Sequence, residues 1–279
     1  MQRDIEQWVF PRLARAAHCL ANPDASVDNA GALTLGVDLG TSSVVSMVLD
    51  ADAQPVAVRL DWADVVRDGV VWDFVGAVAI VRAQLDSLER QLGVRFERAA
   101  TSFPPGTEPR LSTHVLEAAG LEVACVIDEP SAVARMLRLK RAAVVDIGGG
   151  TTGVAVVHDG QVIHSADEPT GGHHVSLVLA GHLKLPLEHA ERHKRESADD
   201  TLWSLVRPVF EKMTDIVRDH LRGQQVDELY LSGGSCSLPG VGQLFAEAFP
   251  AQRVILPAPS LFTTPLAIAA CGLPAGEGR

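Results

Sequence analysis

The stretch "AAVVDIGGGTTGVAVVHDGQVIHSA" (residues 142–166) sets three consecutive glycines between two runs of β-forming residues. Gly148, Gly150 and Gly153 also match G-x-G-x-x-G, the spacing of a dinucleotide-binding turn. The residues after the glycines separate the readings. A dinucleotide turn opens a helix, because the helix N-terminus carries the pyrophosphate. Here Val154-Ala155-Val156-Val157 continues as a strand, His158-Asp159-Gly160 reads as a tight turn, and Gln161-Val162-Ile163-His164 resumes the strand pattern. The P-loop is excluded as well, since no Gly-Lys-Ser/Thr is present. What remains is a glycine hairpin whose N–H groups can face an anion. Glycine suits it because a Cβ would block close approach of the backbone to phosphate oxygens.

The chain contains this device twice. "LTLGVDLGTSSVVSMVLDADAQPVAV" (residues 33–58) has the same grammar: strand, Asp38, Gly40-Thr41, strand, Asp-rich turn, strand. Two such hairpins predict two related halves, each presenting one phosphate-binding turn. Strands and helices alternate along the chain, which gives an α/β class. Residues 1–32 read as an N-terminal helix and a Pro/Asp/Ser-containing linker; its apolar face, with Trp8, Val9 and Phe10 just upstream, either packs on the chain's own domain or docks on a larger assembly. Residues 33–142 form lobe I, to which 257–274 return, and residues 143–256 form lobe II.

Composition narrows the function. A chain of 279 residues with 47% hydrophobic and 21% charged residues can bury two sizeable cores. A net charge of −11 argues against nucleic acid or an anionic membrane as the main partner. Apolar runs are short, so no membrane span is expected, and the start lacks the pattern of a secretory signal, which predicts a cytoplasmic protein. Cys19, Cys125, Cys236 and Cys271 are scattered and read as buried thiols, with neither disulfide nor zinc. His189 and His193 lie at i and i+4, with His173-His174 nearby in sequence, but without a third ligand they read as solvated surface.

Five marks occur in a fixed order: "GVDLGT", "IDEPSAVA", "VVDIGGGTTGVAVV", "YLSGGSCSLPGV" and "PLAIAACG". Together they resemble the actin-like ATPase superfamily, which includes DnaK-type chaperones, bacterial actins and sugar kinases. The resemblance covers residues 33–272 and implies a duplicated actin-like ATPase fold, two lobes with a nucleotide cleft between them. "DWADVVRDGVVWDFVGAV", "AATSFPPGT" and "SADEPTGGHHVSL" lie outside the phosphate loops and resemble the ethanolamine-utilization branch. That branch implies a bacterial microcompartment as context, with ethanolamine-utilization enzymes or shell proteins as partners.

The resemblance also implies roles. ATP and Mg²⁺ are the cofactors, with Asp38 and Asp146 holding the ion through its waters. Gly40, Thr41, Gly148, Gly149, Gly150 and Thr151 face the phosphates. Glu129, at the start of the inter-lobe helix, orients the attacking water. Gly233, Gly234 and Ser235 admit the base and ribose, and Glu191 and Lys194, at i and i+3, resemble the ribose and adenine contacts of bacterial actins. Two departures predict slow turnover: no lysine occurs before Lys140, and Gly153 stands where relatives place an acid. The expected function is a slow ATPase with a chaperone-like or assembly role; the alternative is a non-enzymatic scaffold that keeps nucleotide as a structural ligand.

Overall fold

The first glycine hairpin builds a sheet as its pattern dictates. β1 (Thr34–Leu39), β2 (Ser43–Leu49) and β3 (Pro55–Trp62) pair antiparallel in sequence order. A small ribbon comes next, β4 (Val66–Arg67) with β5 (Val70–Val71). Helix α2 (Phe74–Leu92) then begins where Asp73 accepts from the Gly76 N–H at 2.9 Å and stops at Gly93, whose φ of 65° is the left-handed conformation that glycine reaches without strain. β6 (Arg98–Phe103) returns parallel to β1, and after α3 (Arg110–Ala119) β7 (Glu122–Asp128) lies parallel to β6.

The second half repeats the plan. Helix α4 (Glu129–Leu137) leads into β8 (Arg141–Ile147), β9 (Thr152–His158) and β10 (Gln161–Glu168), again antiparallel. Helices α5 (Gly172–Leu183), α6 (Leu187–Glu196) and α7 (Thr201–His220) come before β11 (Glu228–Ser232). After β11 come α8 (Val241–Ala248), β12 (Arg253–Ile255) and α9 (Thr263–Cys271). The sheet orders are β3-β2-β1-β6-β7 and β10-β9-β8-β11-β12, so the topology is duplicated strand for strand. This computed structural model describes residues 3–26, 31–67, 70–196 and 201–273. Residues 27–30 of the expected linker and residue 274 of the returning segment lie outside them.

Three cores hold the layers together. One face of the first sheet packs Leu35 and Val37 against Val81 and Leu88 of α2 and Leu116 of α3. One face of the second packs Val145 and Val154 against Val175 of α5, Phe210 of α7 and Phe245 of α8. The third core is shared: Met47 and Val58 from the first sheet and Val144 and Val157 from the second meet Leu137 of α4 and Ile268 of α9. Helices α4 and α9 therefore form a middle layer to which both sheets contribute. The approach is close, since a Cβ at Gly36 would lie 2.5 Å from Ala269 Cα. Among the described residues no helix is long and apolar enough to cross a membrane.

The N-terminal helix packs on its own domain, one of its two expected readings. After a π-helical turn, Ile5–Val9, helix α1 (Phe10–Ala21) packs on β3 and buries Val9, Leu13 and Ala16 completely in the shared core. Arg12 reaches over the β2–β3 turn and donates to the carbonyls of Ala53 at 2.9 Å and Asp52 at 2.8 Å, while Arg15 donates to Pro55 O at 2.6 Å. Trp8 also joins this packing, with Arg3 and Arg12 against its ring. The apolar face read as a docking surface is thus part of the fold. The reading of four free thiols is corrected too. Cys125 of β7 and Cys271 of α9 are joined as a disulfide, with Cα atoms 6.2 Å apart across 146 residues of sequence. Packing of α9 on β7 brings them together, which cysteine spacing does not report; Cys19 and Cys236 are free.

If α1 belongs to the core, Leu13→Ala lowers stability by about 2–5 kcal/mol, the cost of a buried leucine cavity. Urea unfolding checks this. A docking helix with no core role would leave the midpoint unchanged.

Candidate functional site

The two glycine turns close in the same way. Gly40 N–H donates to Ser43 O at 3.0 Å and Gly148 N–H to Thr151 O at 3.0 Å, and each turn comes two residues after an aspartate. The turns then meet face to face. A Cβ at Gly149 would lie 2.1 Å from Ser42 Oγ, and one at Gly150 2.7 Å from Thr41 Oγ1. Side chains at these positions would force the turns apart. Behind the second turn, the start of α5 holds it in place: Gly172 N–H donates to Gly148 O at 3.0 Å, and His173 N–H to Gly149 O at 2.6 Å. The sequence shows Gly171-Gly172 only as a helix entry, yet a Cβ at Gly171 would lie 2.6 Å from Thr151 N.

Between the lobes lies a cavity of about 310 Å³, within the size range of small-ligand sites. Its lining includes Asp38, Gly40, Thr41, Glu129, Asp146, Gly148, Gly149 and Thr151 on the side of the turns. Glu191, Lys194, Gly233, Gly234 and Ser235 belong to the same lining. Of the residues expected at the site, Gly150 alone is not in the lining; it faces Thr41 instead.

Three carboxylates converge at the turns. Glu129 stands at the first position of α4, whose start is capped by Asp128 accepting from Ser131 N–H at 3.1 Å. Burial pushes Asp38 up to about 7, with repulsion from Asp146 adding to it and a Ser102 hydrogen bond opposing. Burial also pushes Asp146 up to about 6, although Thr264 Oγ1 donates to its Oδ2 at 2.6 Å. Glu129 is raised well above the usual carboxylate range by burial and then by the charges of Asp38, Asp146 and Asp167.

The end of the lining that includes α6 and Ser235 abuts the second turn and is internally paired. Glu191 Oε2 accepts from Lys194 Nζ at 2.7 Å and from the Ser176 hydroxyl, and Lys194 also donates to Gly172 O at 3.0 Å. Burial alone would raise Glu191, but Lys194 and these hydrogen bonds outweigh it and hold the carboxyl low. Ser235 Oγ donates to Gly148 O at 2.7 Å, tying this end to the second turn. Gly233 adopts φ 89°, and a Cβ there would lie 2.3 Å from Asp146 Oδ1, so both conformation and space call for glycine. At the mouth, the Arg195 guanidinium lies 4.1 Å over the Trp62 ring, bridging α6 and the end of β3.

Sequence reasoning missed Ser42, Thr264, Trp62, Arg195 and Asp167. Thr264 reaches Asp146 across 118 residues, and Trp62 meets Arg195 only through the fold. Asp167 had a faint local signal, an acid within the second strand-turn-strand unit, but its place depends on strand register.

Two duplicated five-stranded sheets, with paired Asp-Gly turns facing one cavity, define an actin-like ATPase fold. MreB5 of Spiroplasma citri, solved bound to AMPPNP, shares that fold with a TM-score of 0.65 over 86% of this chain and 95% of its own, at 16% identity. The family model for cell division protein FtsA matches residues 143–272. The ethanolamine utilization protein EutJ of Salmonella typhimurium (strain LT2) is 59% identical over 278 residues, spanning 100% of this chain and 99% of its own length. The crystal structure of EutJ from Carboxydothermus hydrogenoformans superposes with a TM-score of 0.87 at 40% identity, covering 94% of this chain and 97% of that one. The chain belongs to the EutJ family.

The raised carboxyls have a measurable consequence. Through the interval from the ordinary carboxylate range up to about 7, the folded chain holds protons that the unfolded chain has released. Stability therefore falls as pH rises through that interval. In EDTA the melting temperature is expected to be higher near pH 5.5 than near pH 7.5, and Asp38→Asn to flatten the slope. Identical slopes in the two proteins would show that Asp38 is not a source of the effect.

Proposed function

We propose that this protein binds ATP with Mg²⁺ in the cavity between the lobes and hydrolyses it slowly. The observation that carries the reading is the meeting of two glycine turns, one from each sheet and each preceded by an aspartate, beside Glu129. The donor set fits Mg²⁺: Asp38 and Asp146 offer hard carboxylate oxygens close enough for Asp146 to repel Asp38, and the basic residues of the lining, Lys194 and Arg195, are paired with Glu191. Bound there, the ion would neutralise charge on the phosphates.

Gly40-Thr41 and Gly148–Thr151 face the β- and γ-phosphates. Gly233, Gly234 and Ser235 receive the nucleoside, with Glu191 and Lys194 on the ribose. Glu129 orients a water whose oxygen bonds to the γ-phosphorus as the bond to the bridging oxygen breaks. ADP leaves with that electron pair, and the water's proton passes to the Glu129 carboxylate. The units that move are residues 33–142 with 257–274, and residues 143–256. Their opening and closing would transmit the nucleotide state to ethanolamine-utilization enzymes or shell proteins of a cytoplasmic microcompartment. A scaffold that keeps nucleotide without turnover is the second reading. It is favoured by the absence of a basic side chain among the lining residues around Glu129; Lys194 and Arg195 lie toward Glu191.

Two measurements test the reading. ATP with Mg²⁺, at about a hundred times Kd, stabilises the fold by roughly 2.7 kcal/mol, and ATP in EDTA much less; an unmoved melting temperature refutes nucleotide binding. Glu129→Gln lowers phosphate release by about 10²-fold while ATP affinity is retained. Parallel loss of both would mean that Glu129 serves the start of α4 instead. Wild-type protein that binds ATP but releases no phosphate would establish the scaffold reading.

A further inference from the structure

Helix α7 ends on a histidine that meets another from β10, the edge strand of the second sheet. His164 Nε2 of β10 lies 3.1 Å from His220 Nδ1, with the ring centroids 5.2 Å apart and the rings tilted by 36°. Strand β10 delivers His164 to that contact through a slip in its pairing. Val162 stands opposite Val157 and His164 opposite Val156, with Ile163 left over between them. Val157 belongs to the shared core and Val156 to the core built with α7. In a regular strand residues 162 and 164 share a face, so the bulge at Ile163 is what turns His164 toward α7. Glu168, opposite Thr152, lies on the same face as His164, and its Oε1 stands 3.6 Å from His220 Nε2. None of these three side chains lines the cavity between the lobes.

A carboxylate facing Nε2 of His220 favours the tautomer with its hydrogen there, which leaves a lone pair on Nδ1, the atom turned to His164. In the neutral pair His164 donates to that lone pair from its own Nε2. Burial and then His220 hold the His164 imidazole below its usual value, so the ring stays neutral and able to ligate. A metal ion can take the place of the bridging hydrogen. Two nitrogens at about 2.0–2.1 Å from one tetrahedral ion sit about 3.3 Å from each other, and these two already stand 3.1 Å apart. We propose that His164 Nε2 and His220 Nδ1 ligate a divalent transition-metal ion of the zinc class, with water in its remaining positions and Glu168 orienting His220 from behind. The hydrogen on Nε2 of His164 moves to its Nδ1 as the ion enters, so no proton is lost. Neutral imidazoles suit such an ion, whereas Mg²⁺ takes hard oxygen ligands. The site is therefore separate in chemistry as well as in place from the cavity between the lobes, and binding here does not depend on nucleotide. The bound ion ties the edge strand of the second sheet to the end of α7.

The test titrates Zn²⁺ into the nucleotide-free full chain, stripped with EDTA and dialysed, and reads calorimetric binding and melting temperature. The wild-type protein is expected to show saturable binding and a rise in melting temperature that EDTA reverses. His164→Ala and His220→Ala are each expected to abolish that binding, and Glu168→Gln to weaken it by about tenfold or more. Replacing His189 and His193 by alanine, which removes the i, i+4 pair of α6, should leave it intact. A wild-type chain that does not bind Zn²⁺, or that binds it as well after His164→Ala or His220→Ala, overturns the inference. Binding lost with His189 and His193 instead places the ion on α6 and overturns it too. Unchanged affinity in Glu168→Gln overturns the orienting role given to Glu168. If either histidine variant does not fold, proton–nitrogen spectra of the wild-type imidazoles decide. Zn²⁺ should shift His164 Nε2 and His220 Nδ1, and shifts confined to other histidines overturn the inference.

Discussion

Carboxylates buried together repel one another, and each has lost the water that would otherwise solvate its charge. Asp146 is buried and Asp38 and Glu129 are half-buried beside it, and the fold brings the three there from different elements. Nothing in their own chemistry draws them together. They converge because β1 and β8 end at one seam and α4 begins at the same seam. The stability of the sheets therefore supports an unfavourable electrostatic arrangement, which is where a cation-carrying ligand gains most.

The seam is maintained by the middle layer. Helix α9 packs on β1 and on α4 while its Thr264 bonds Asp146 on the second sheet. Helix α4 contacts strands of both sheets and presents Glu129 at its first position. A displacement between the halves must therefore be felt at Thr264, at Glu129 or at both. The third core makes such a displacement a sliding of packed helices, since Leu137 and Ile268 are fully buried within it. Close-packed interiors favour alternative discrete packings over continuous deformation.

Much of this was legible in the sequence because it is written in local pattern. Strand-glycine-strand order distinguished a phosphate hairpin from a dinucleotide turn, and β9 comes directly after the glycines, as that order requires. Glu129 was expected at the start of a helix, and α4 begins at that residue. The illegible part depends on register or long-range packing. Asp146, Gly153 and Asp167 come into one row only once β8, β9 and β10 pair in one register. The bond from Thr264 to Asp146, the Cys125–Cys271 bridge and the Trp62–Arg195 contact each join residues that no local window contains. The N-terminal segment kept two readings because its apolar stripe suits a partner's groove and its own β3 equally well. Arg12, reaching the carbonyls of Ala53 and Asp52, distinguishes the two.

The packing of α9 on β1 also bears on how the chain comes to be folded at all. The strands of the first sheet occupy residues 34–128, while the helix that covers one of its faces occupies residues 263–271. On a ribosome the first sheet is therefore synthesised long before its cover, and Val45, Met47 and Val58 have no α9 to pack against in the meantime. The second sheet, with α5, α7 and α8 encoded within its own stretch, can complete one of its faces as it emerges. Chain order and folding order thus run opposite to each other: the half made first is the half finished last. An emerging chain must keep that exposed apolar face from binding elsewhere, and the N-terminal helix, already present, covers part of it.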